Sequence, residues 1–363
     1  MQTQTRTRFQ MADTWDTIVT RQSSRSMKPN EPKRHHFVPK FYQSNFADAA
    51  GLLWVYDRKA QRYFQASPQV ICVEKDLYTI DPEGNQNRYV ETNWLSKVDG
   101  EAAESLRRFQ AGVPLDDDWK ESFSVFMAQQ ITRSPSYRDF TTRNYQAMHE
   151  EYLRIGFTNV DRARYLLEQY RTRTGDSSGS SVTAESLVEA VTGGHMRIDV
   201  GEGPFLRHMV EQVEFLARWI VAFEWRILRA PLETGFIICD HPFVLVPAPG
   251  QPESIGLGYP GTVKYFPLTE RLCLRMGEVG YGVKYENASK EDVRIINQNI
   301  AVNSERFIMG PNRTQMEYVV QRSKTAVPDA SPRTTVEIVR QTSDDGLIKF
   351  TLWPRRDYFY PKT

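Results

Sequence analysis

The chain is poor in cysteine, balanced in charge and free of long apolar runs, and each property argues against a class of protein. Its three cysteines form no C-x-x-C pair and no even set, which argues against a structural zinc cluster or a disulfide framework. Lysine and arginine total 46 against 45 acidic residues, so only local patches could attract nucleic acid. No window approaches the roughly 18 apolar residues of a membrane helix, and residues 1–30 lack the apolar run of a signal peptide. We therefore expect a soluble, cytoplasmic protein with no membrane contact.

The distribution of apolar residues indicates an α+β protein with a mobile start. Residues 1–32 are rich in Thr, Gln, Ser and Arg and poor in aliphatic side chains, so we expect a flexible N-terminal arm. Residues 33–363 are predicted to form a single globular domain, helical over about 92–221 and β-rich over about 222–363. We expect the helical middle region to pack against a mixed or antiparallel sheet, built from an N-terminal hairpin and the C-terminal half.

The spacing of apolar residues predicts the individual elements. Two alternating runs around a polar turn predict a β-hairpin over 52–57 and 61–65. Apolar residues three and four apart predict helices from 92 to Gly112, from Asp116 towards Pro135, and over 137–173, 183–192, 204–221 and 290–306. Short branched or aromatic runs predict strands over 224–228, 235–239, 243–246, 262–266, 272–276, 335–340 and 348–353. The Gly- and Ser-rich stretch 174–181 is predicted to be a flexible surface loop.

Two adjacent histidines, His35 and His36, stand in a short basic and aromatic segment. An imidazole can accept a proton near neutral pH or bind a metal ion, so one of them could act as general base or metal ligand. Arg34, Lys40 and Tyr42 could then bind the phosphate or carboxylate of a substrate. In the structural alternative, one histidine bonds to the backbone and the other is solvated. The nearby aromatic residues are more typical of core anchors than of a platform for stacking bases.

Acidic and basic residues further along the chain provide other candidates. Asp240 lies between two strongly apolar strands, where a carboxylate must bond within a turn or serve a site. Arg133 ends a predicted helix, and Arg138 follows five residues later. A guanidinium can bind phosphate in a bidentate manner, or it can complement the helix dipole and a nearby acid. Glu91 precedes a helix and is either a capping residue, the commoner case, or a metal ligand.

Four motifs resemble a bacterial family, the proteins of domain of unknown function 4238, over roughly residues 34–310. Residues 35–42 read H-H-F-V-P-K-F-Y and are similar to the family's opening H-H-[YF]-V-P-x-F-Y, which a strand like 51–57 follows. Residues 133–138 are similar to R-[ST]-P-x-x-R, residues 236–242 to a strand ending in S-D-N-P, and residues 266–268 to the start of the next strand. Cys239 and His241 replace the serine and asparagine of the third motif, so only Asp240 and Pro242 carry over there.

The resemblance implies an orphan bacterial fold with no settled activity. It also implies that His35, His36, Arg133 and Asp240 belong to one constellation. H-H-x-x-P is similar, more weakly, to the first histidine strand of His-Me finger nucleases, in which a histidine activates water and a metal ion stabilises the phosphate. Those nucleases place a further histidine or asparagine ligand soon after the hairpin, and Asn93 is the candidate here.

Our leading hypothesis is a metal-dependent phosphodiester hydrolase that acts on nucleic acid or another phosphate-bearing ligand. His35 or His36 would be the base, and Arg133 would steady the phosphate. Asp240, with His36 or Glu91, would hold a divalent ion, Mg²⁺ or Mn²⁺. The alternative is a non-catalytic module that uses the same groups to bind an anionic ligand or a partner. A third reading is a buried hydrogen-bond network that specifies the fold.

Overall fold

The computed structural model is an α+β protein, as the sequence predicts. It describes residues 34–75, 77–78, 94–113, 116–157, 159–175, 182–193, 195, 200–250, 256–323, 335–340 and 346–351. The predicted N-terminal arm and Glu91 lie outside the described residues, and so does the predicted Gly- and Ser-rich loop apart from Thr174 and Gly175. None of the helices formed by the described residues is long and apolar enough to cross a membrane.

The elements follow one another with the helices concentrated in the middle of the chain. The helices are α1 (Lys40–Gln43), α2 (Ser96–Ala111), α3 (Asp117–Thr132), α4 (Pro135–Gly156), α5 (Val160–Thr174), α6 (Ala184–Thr192), α7 (Glu202–Val221), α8 (Lys290–Asn303) and α9 (Arg313–Arg322). The strands are β1 (Arg34–His36), β2 (Leu53–Asp57), β3 (Arg62–Ala66), β4 (Val73–Lys75), β5 (Phe223–Arg229), β6 (Ile238–Cys239), β7 (Val244–Val246), β8 (Val263–Thr269), β9 (Leu272–Val279), β10 (Val283–Asn287), β11 (Phe307–Gly310), β12 (Thr335–Arg340) and β13 (Gly346–Thr351).

The chain divides into two compact units. The first comprises residues 1–138, 206–333 and 352–363, and the second comprises residues 139–205 and 334–351. Within the second unit, α5 contacts α6, and β12 pairs with β13 in an antiparallel hairpin. This division does not test whether the units fold together, so a single domain over 33–363 stays a prediction.

The first unit contains two larger sheets. The predicted hairpin, β2 and β3, is confirmed, and it belongs to a four-stranded antiparallel sheet in the order β3-β2-β11-β6. The other sheet has the order β10-β5-β9-β8-β7. Only β10 and β5 run parallel in it, and the remaining pairs are antiparallel.

An aromatic core lies between helices α2 and α3 and the five-stranded sheet. Phe123 of α3 packs edge-on against Trp225 of β5, with ring centroids 6.1 Å apart. Tyr42 of α1 stacks on Phe266 of β8 at 5.3 Å, and all four side chains are fully buried. Each buried aromatic side chain contributes about 2–3 kcal/mol by leaving water. The predicted packing of helices on a sheet is thus confirmed for α2 and α3, and Tyr42 is a core anchor.

Local hydrogen bonds explain where several elements begin and end. The acidic run caps α3 as predicted, because a carboxylate oxygen of Asp116 accepts a hydrogen bond from the Trp119 amide. The helical pattern over 137–173 is two helices, since the Asn159 side chain caps a new helix after Gly156. The predicted strand 235–239 is only two residues long, because the Asn297 side chain bonds the backbone of residues 235 and 237.

Lys264 of β8 is buried although it carries an amine. It is 1% exposed, and its Nζ lies 3.8 Å from the centroid of the Phe223 ring. Its hydrogen bond to the Gly277 carbonyl is long, at 3.5 Å, and the described residues supply no carboxylate within ion-pair distance. Burial therefore lowers the pKa of Lys264 to about 8.

We expect Lys264→Met to make the protein more stable at pH 7, by on the order of 1 kcal/mol. Between pH 8 and 10.5 the unfolded chain holds a proton that the folded chain has released, so the free energy of unfolding of the wild type rises with pH in this window. The advantage of the variant should therefore shrink as the pH rises to 10. Urea unfolding at pH 7, 8.5 and 10 measures this, with exposed Lys284→Met as the control. A variant less stable than the wild type at pH 7 would contradict it.

Candidate functional site

Strands β1 and β4 form a two-stranded antiparallel ribbon that carries the two histidines. Arg34 lies opposite Lys75, and His35 lies opposite Glu74. Side chains alternate along a strand, and paired residues share a face, so Arg34, His36 and Lys75 lie together on one face. His35 and Glu74 lie on the other. Arg34 and Lys75 are exposed, whereas His35 is buried. We call the face defined by Arg34, His36 and Lys75 the basic face.

His35 joins the ribbon to the interior. Its Nδ1 accepts a hydrogen bond of 3.0 Å from the Tyr78 amide, and its ring stacks on that of Tyr78 with centroids 5.4 Å apart. The Tyr78 hydroxyl donates in turn to the Arg133 carbonyl at 2.6 Å. His35 is fully buried. These contacts favour a structural role for His35, in which it fixes β1 against the end of α3, and its catalytic role stays a prediction.

His36 is half-buried and its ring is oriented by the backbone. Its Nε2 lies 3.1 Å from the Pro68 carbonyl. A carbonyl can only accept a hydrogen bond, so Nε2 carries the proton and Nδ1 keeps a lone pair. Burial lowers the pKa of His36, and the positive charges of Arg133 and Arg34 lower it further. At neutral pH, His36 is therefore a neutral imidazole that can accept a proton or a hydrogen bond through Nδ1.

Arg133 is a buried cation that holds the ribbon to the helices. It is 1% exposed and lies immediately after α3. One terminal nitrogen donates to a carboxylate oxygen of Asp99 on α2 at 2.9 Å, and the other donates to the His36 carbonyl at 2.6 Å. Burial raises the pKa of Asp99 even though Arg133 lies beside it. In this position, Arg133 influences the site through its hydrogen bond to the His36 carbonyl. Direct contact between Arg133 and a phosphate stays a prediction.

The residues predicted to bind substrate have different surroundings. Arg34 and Lys40 are exposed, and Lys40 begins α1 directly after the ribbon segment. Arg138 forms an ion pair with Glu74 on the far face of the ribbon. The Tyr42 hydroxyl donates to a backbone carbonyl of β8 within the core. Arg34 and Lys40 are therefore accessible to a ligand, whereas Arg138 has a protein partner and Tyr42 is buried.

Asp240 belongs to a different hydrogen-bond network. Its carboxylate accepts bonds from the backbone amides of Glu305 at 2.9 Å, Arg306 at 2.7 Å and Phe307 at 3.0 Å. The side chain lies after β6 and is 7% exposed. These bonds tie β6 to the start of β11. They favour the local-bonding alternative for Asp240, and its place in one constellation with the histidines and Arg133 stays a prediction.

Of the three residues predicted to hold a metal ion, the structure describes His36 and Asp240. Among the described residues, no group of three or more His, Cys, Asp or Glu side chains could hold a metal ion. Glu91, which the sequence suggests as a ligand beside His36 and Asp240, lies outside those residues. A divalent ion at this site therefore stays a prediction.

Sequence reasoning passed over a polar cluster in the last turn of α3. Gln129, Gln130 and Thr132 are all at least 99% buried. Both amide atoms of each glutamine and the Thr132 hydroxyl lack a hydrogen-bond partner among the described residues. A buried polar group without a partner costs about 1–3 kcal/mol. The only signal in the sequence was the position of these residues directly before Arg133, because periodicity assigns polar residues to the solvent side of a helix.

We expect Asp240→Asn to lower the free energy of unfolding by about 2–4 kcal/mol. An amide retains one acceptor oxygen, but it places an NH₂ group against backbone N–H donors and removes the negative charge that strengthens all three bonds. Denaturant unfolding measures the loss, with Asp161→Asn as the control, since the Asp161 side chain is 95% exposed. Equal stability of Asp240→Asn and the wild type would show that the three bonds do not hold β11.

Comparison with known proteins places the chain in a family without naming an activity. The model of a protein family of unknown function, DUF4238, matches residues 34–314. No curated protein and no solved structure matches the chain. The similarity to His-Me finger nucleases is not shown by these comparisons. The match spans more than half of the chain and includes the ribbon, Arg133 and Asp240, and the chain therefore belongs to the DUF4238 family.

Proposed function

We propose that the chain binds a phosphate-bearing ligand on the basic face of the β1–β4 ribbon. The observation that supports this is the pairing of Arg34 directly opposite Lys75, both exposed. A phosphate on this face offers oxygen acceptors to both cations at once.

His36 gives the same face an acceptor for hydrogen bonds. It follows Arg34 by two residues and therefore projects on the same side. Because its Nε2 is held by the Pro68 carbonyl, Nδ1 remains to accept a proton from a ligand hydroxyl or from a protonated phosphate. The buried Arg133 behind it adds positive potential without leaving its protein partners. The face therefore combines cations with one neutral acceptor.

Phosphodiester hydrolysis is the second candidate function, and the state of His36 favours it. A general base must be unprotonated at the working pH and within reach of the proton it removes. The lowered pKa and the fixed tautomer of His36 meet the first condition. In this version His36 activates water and Arg34 and Lys75 hold the phosphate of a nucleic acid. A divalent ion, Mg²⁺ or Mn²⁺, held by Asp240 with Glu91 is part of the same proposal, and His36 does not hold it in this version because its one lone pair takes the proton from water.

We expect Arg34→Gln/Lys75→Gln to bind a fluorescently labelled single-stranded DNA or RNA at least tenfold more weakly than the wild type, which corresponds to about 1.4 kcal/mol. The matched control is Lys284→Gln/Lys290→Gln, which removes two exposed charges elsewhere in the first unit. Fluorescence anisotropy at low salt and at 0.3 M salt shows whether the loss of affinity exceeds the effect of removing any two positive charges. Equal weakening by both double variants would contradict a specific basic face.

If the second candidate is right, His36→Gln should lower the cleavage rate of the same oligonucleotides at least a hundredfold, the scale of a lost general base. Binding should change little, because glutamine keeps the donor to Pro68. Turnover is measured with Mg²⁺, Mn²⁺ or EDTA, with His149→Gln as the control for an exposed histidine. If the wild type binds the oligonucleotides but cleaves them under none of these conditions, hydrolysis is eliminated and ligand binding alone is supported.

A further inference from the structure

Strand β10 is an edge of the five-stranded sheet. It stands at the end of the order β10-β5-β9-β8-β7, and among the described strands it pairs only with β5. Just outside its two ends, the Gly282 carbonyl and the Ala288 amide both bond the backbone of β5. The even-numbered residues of this segment therefore direct their backbone groups towards β5. Because these groups alternate along a strand, the other side of β10 presents the N–H and C=O groups of Val283, Tyr285 and Asn287.

The side chains of β10 carry one charge of each sign on the same face. Lys284 forms an ion pair with Glu224 of β5 at 3.0 Å, and Glu286 forms one with Arg226 of β5 at 3.1 Å. Tyr285 lies between them and points to the opposite face, where its hydroxyl donates to a backbone carbonyl of α2 at 3.4 Å. A lysine on an edge strand usually prevents pairing with another chain. Here the opposite charge lies two residues away on the same strand.

Two β10 strands are complementary when they run antiparallel about a two-fold axis at Tyr285. Their outward backbone groups then meet, and Lys284 faces Glu286 of the second copy at two equivalent positions. These positions are pairs without backbone hydrogen bonds, in which the side chains lie closest. A shift of the axis by one residue places lysine against lysine or glutamate against glutamate, which destabilises a strand pair. The charges therefore select a single register.

The same register brings together the two most exposed large apolar side chains among the described residues. Tyr281 lies just before β10 and is 95% exposed, and Leu232 is 93% exposed. Leu232 lies near the other end of β10, because the adjacent Glu233 is 3.8 Å from Lys290 at the start of α8. Antiparallel pairing sets the start of one β10 beside the end of the other, so Tyr281 of each copy meets the turn that carries Leu232 of its partner. These contacts extend the interface beyond the strands, as the roughly 1,000 Å² of a specific interface requires.

We propose that β10 forms a dimer interface and that its partner is a second copy of this chain. The two five-stranded sheets join at β10 into one continuous sheet. The choice of a second copy rests on charge, since β10 carries the opposite charge for each of its own charged residues. The apolar residues at both ends of the strand support the same two-fold arrangement. The interface is independent of the ligand proposed for the basic face.

Sedimentation velocity of the full chain at roughly 100 μM tests the proposal with two charge-reversal variants. The wild type should sediment as a dimer. Lys284→Glu has two glutamates on the edge and Glu286→Lys has two lysines, so each variant alone places like charges opposite each other, and its dissociation constant should rise at least tenfold. A 1:1 mixture of the two should form a heterodimer, because every pair across the interface then has opposite charges. Recovery in the mixture also shows that both variants are folded.

Arg313→Glu and Glu317→Lys are the matched controls, since they make the same changes of charge at an exposed pair on α9. Each should dimerise as the wild type does. Tyr281→Ser should raise the dissociation constant, whereas Tyr152→Ser, at another exposed tyrosine, should not. A monomeric wild type, or dimerisation that neither edge variant weakens, would overturn the inference. A mixture that stays monomeric, or an unchanged dissociation constant in Tyr281→Ser, would overturn the proposed register.

Discussion

The buried guanidinium of Arg133 is the interaction on which the rest of the candidate site depends. It lies at the end of one helix, pairs with a carboxylate of a second helix, and donates to the backbone of the histidine strand. Removing Asp99 would leave this guanidinium charge buried without its carboxylate partner, which is costly because the charge stays out of water. Arg133 therefore holds β1 against the two helices, in addition to the pairing of β1 with β4.

That constraint separates supporting residues from residues that can meet a ligand. His35 and Tyr78 complete the attachment of the ribbon, while Asp240 performs a similar task for β11 through three backbone amides. His36 differs, since the Pro68 carbonyl holds its Nε2 and Nδ1 retains a lone pair. Burial lowers the pKa of that ring, and the charge of Arg133 that anchors the strand lowers it further. Arg133 therefore contributes both to the anchoring of β1 and to the neutral state of His36.

Regular periodicity made part of the fold predictable. The hairpin over β2 and β3, the helices α2, α3 and α7, and the strands β5, β8 and β9 all repeat apolar residues over four or more positions. Strands β1 and β4 have three residues each and are defined by pairing across the chain, so local pattern could not indicate them. The two-residue β6 is shorter than predicted. The Asn297 side chain of α8, rather than a neighbouring strand, bonds the backbone of residues 235 and 237.

The candidate site was predictable to a similar degree. The histidine pair and Arg133 could be singled out because adjacent imidazoles and a helix-ending arginine are unusual in sequence, and the structure brings them into contact. Their roles could not be assigned, since one ring turns inward and the other outward according to strand register. Lys75 and the buried glutamines escaped notice because their importance comes from what lies opposite or around them in space.

The tautomer and pKa of His36 test the central claim most directly. Nitrogen-15 NMR of the imidazoles over pH 4–9, with His36→Gln to assign the signals, reads both properties. The account predicts a neutral ring at pH 7 with the proton on Nε2 and a pKa below 6.5, and Arg133→Met should raise that pKa. A proton on Nδ1, or a pKa above 6.5 in the wild type, would contradict the arrangement of ribbon, carbonyl and buried arginine described for this site.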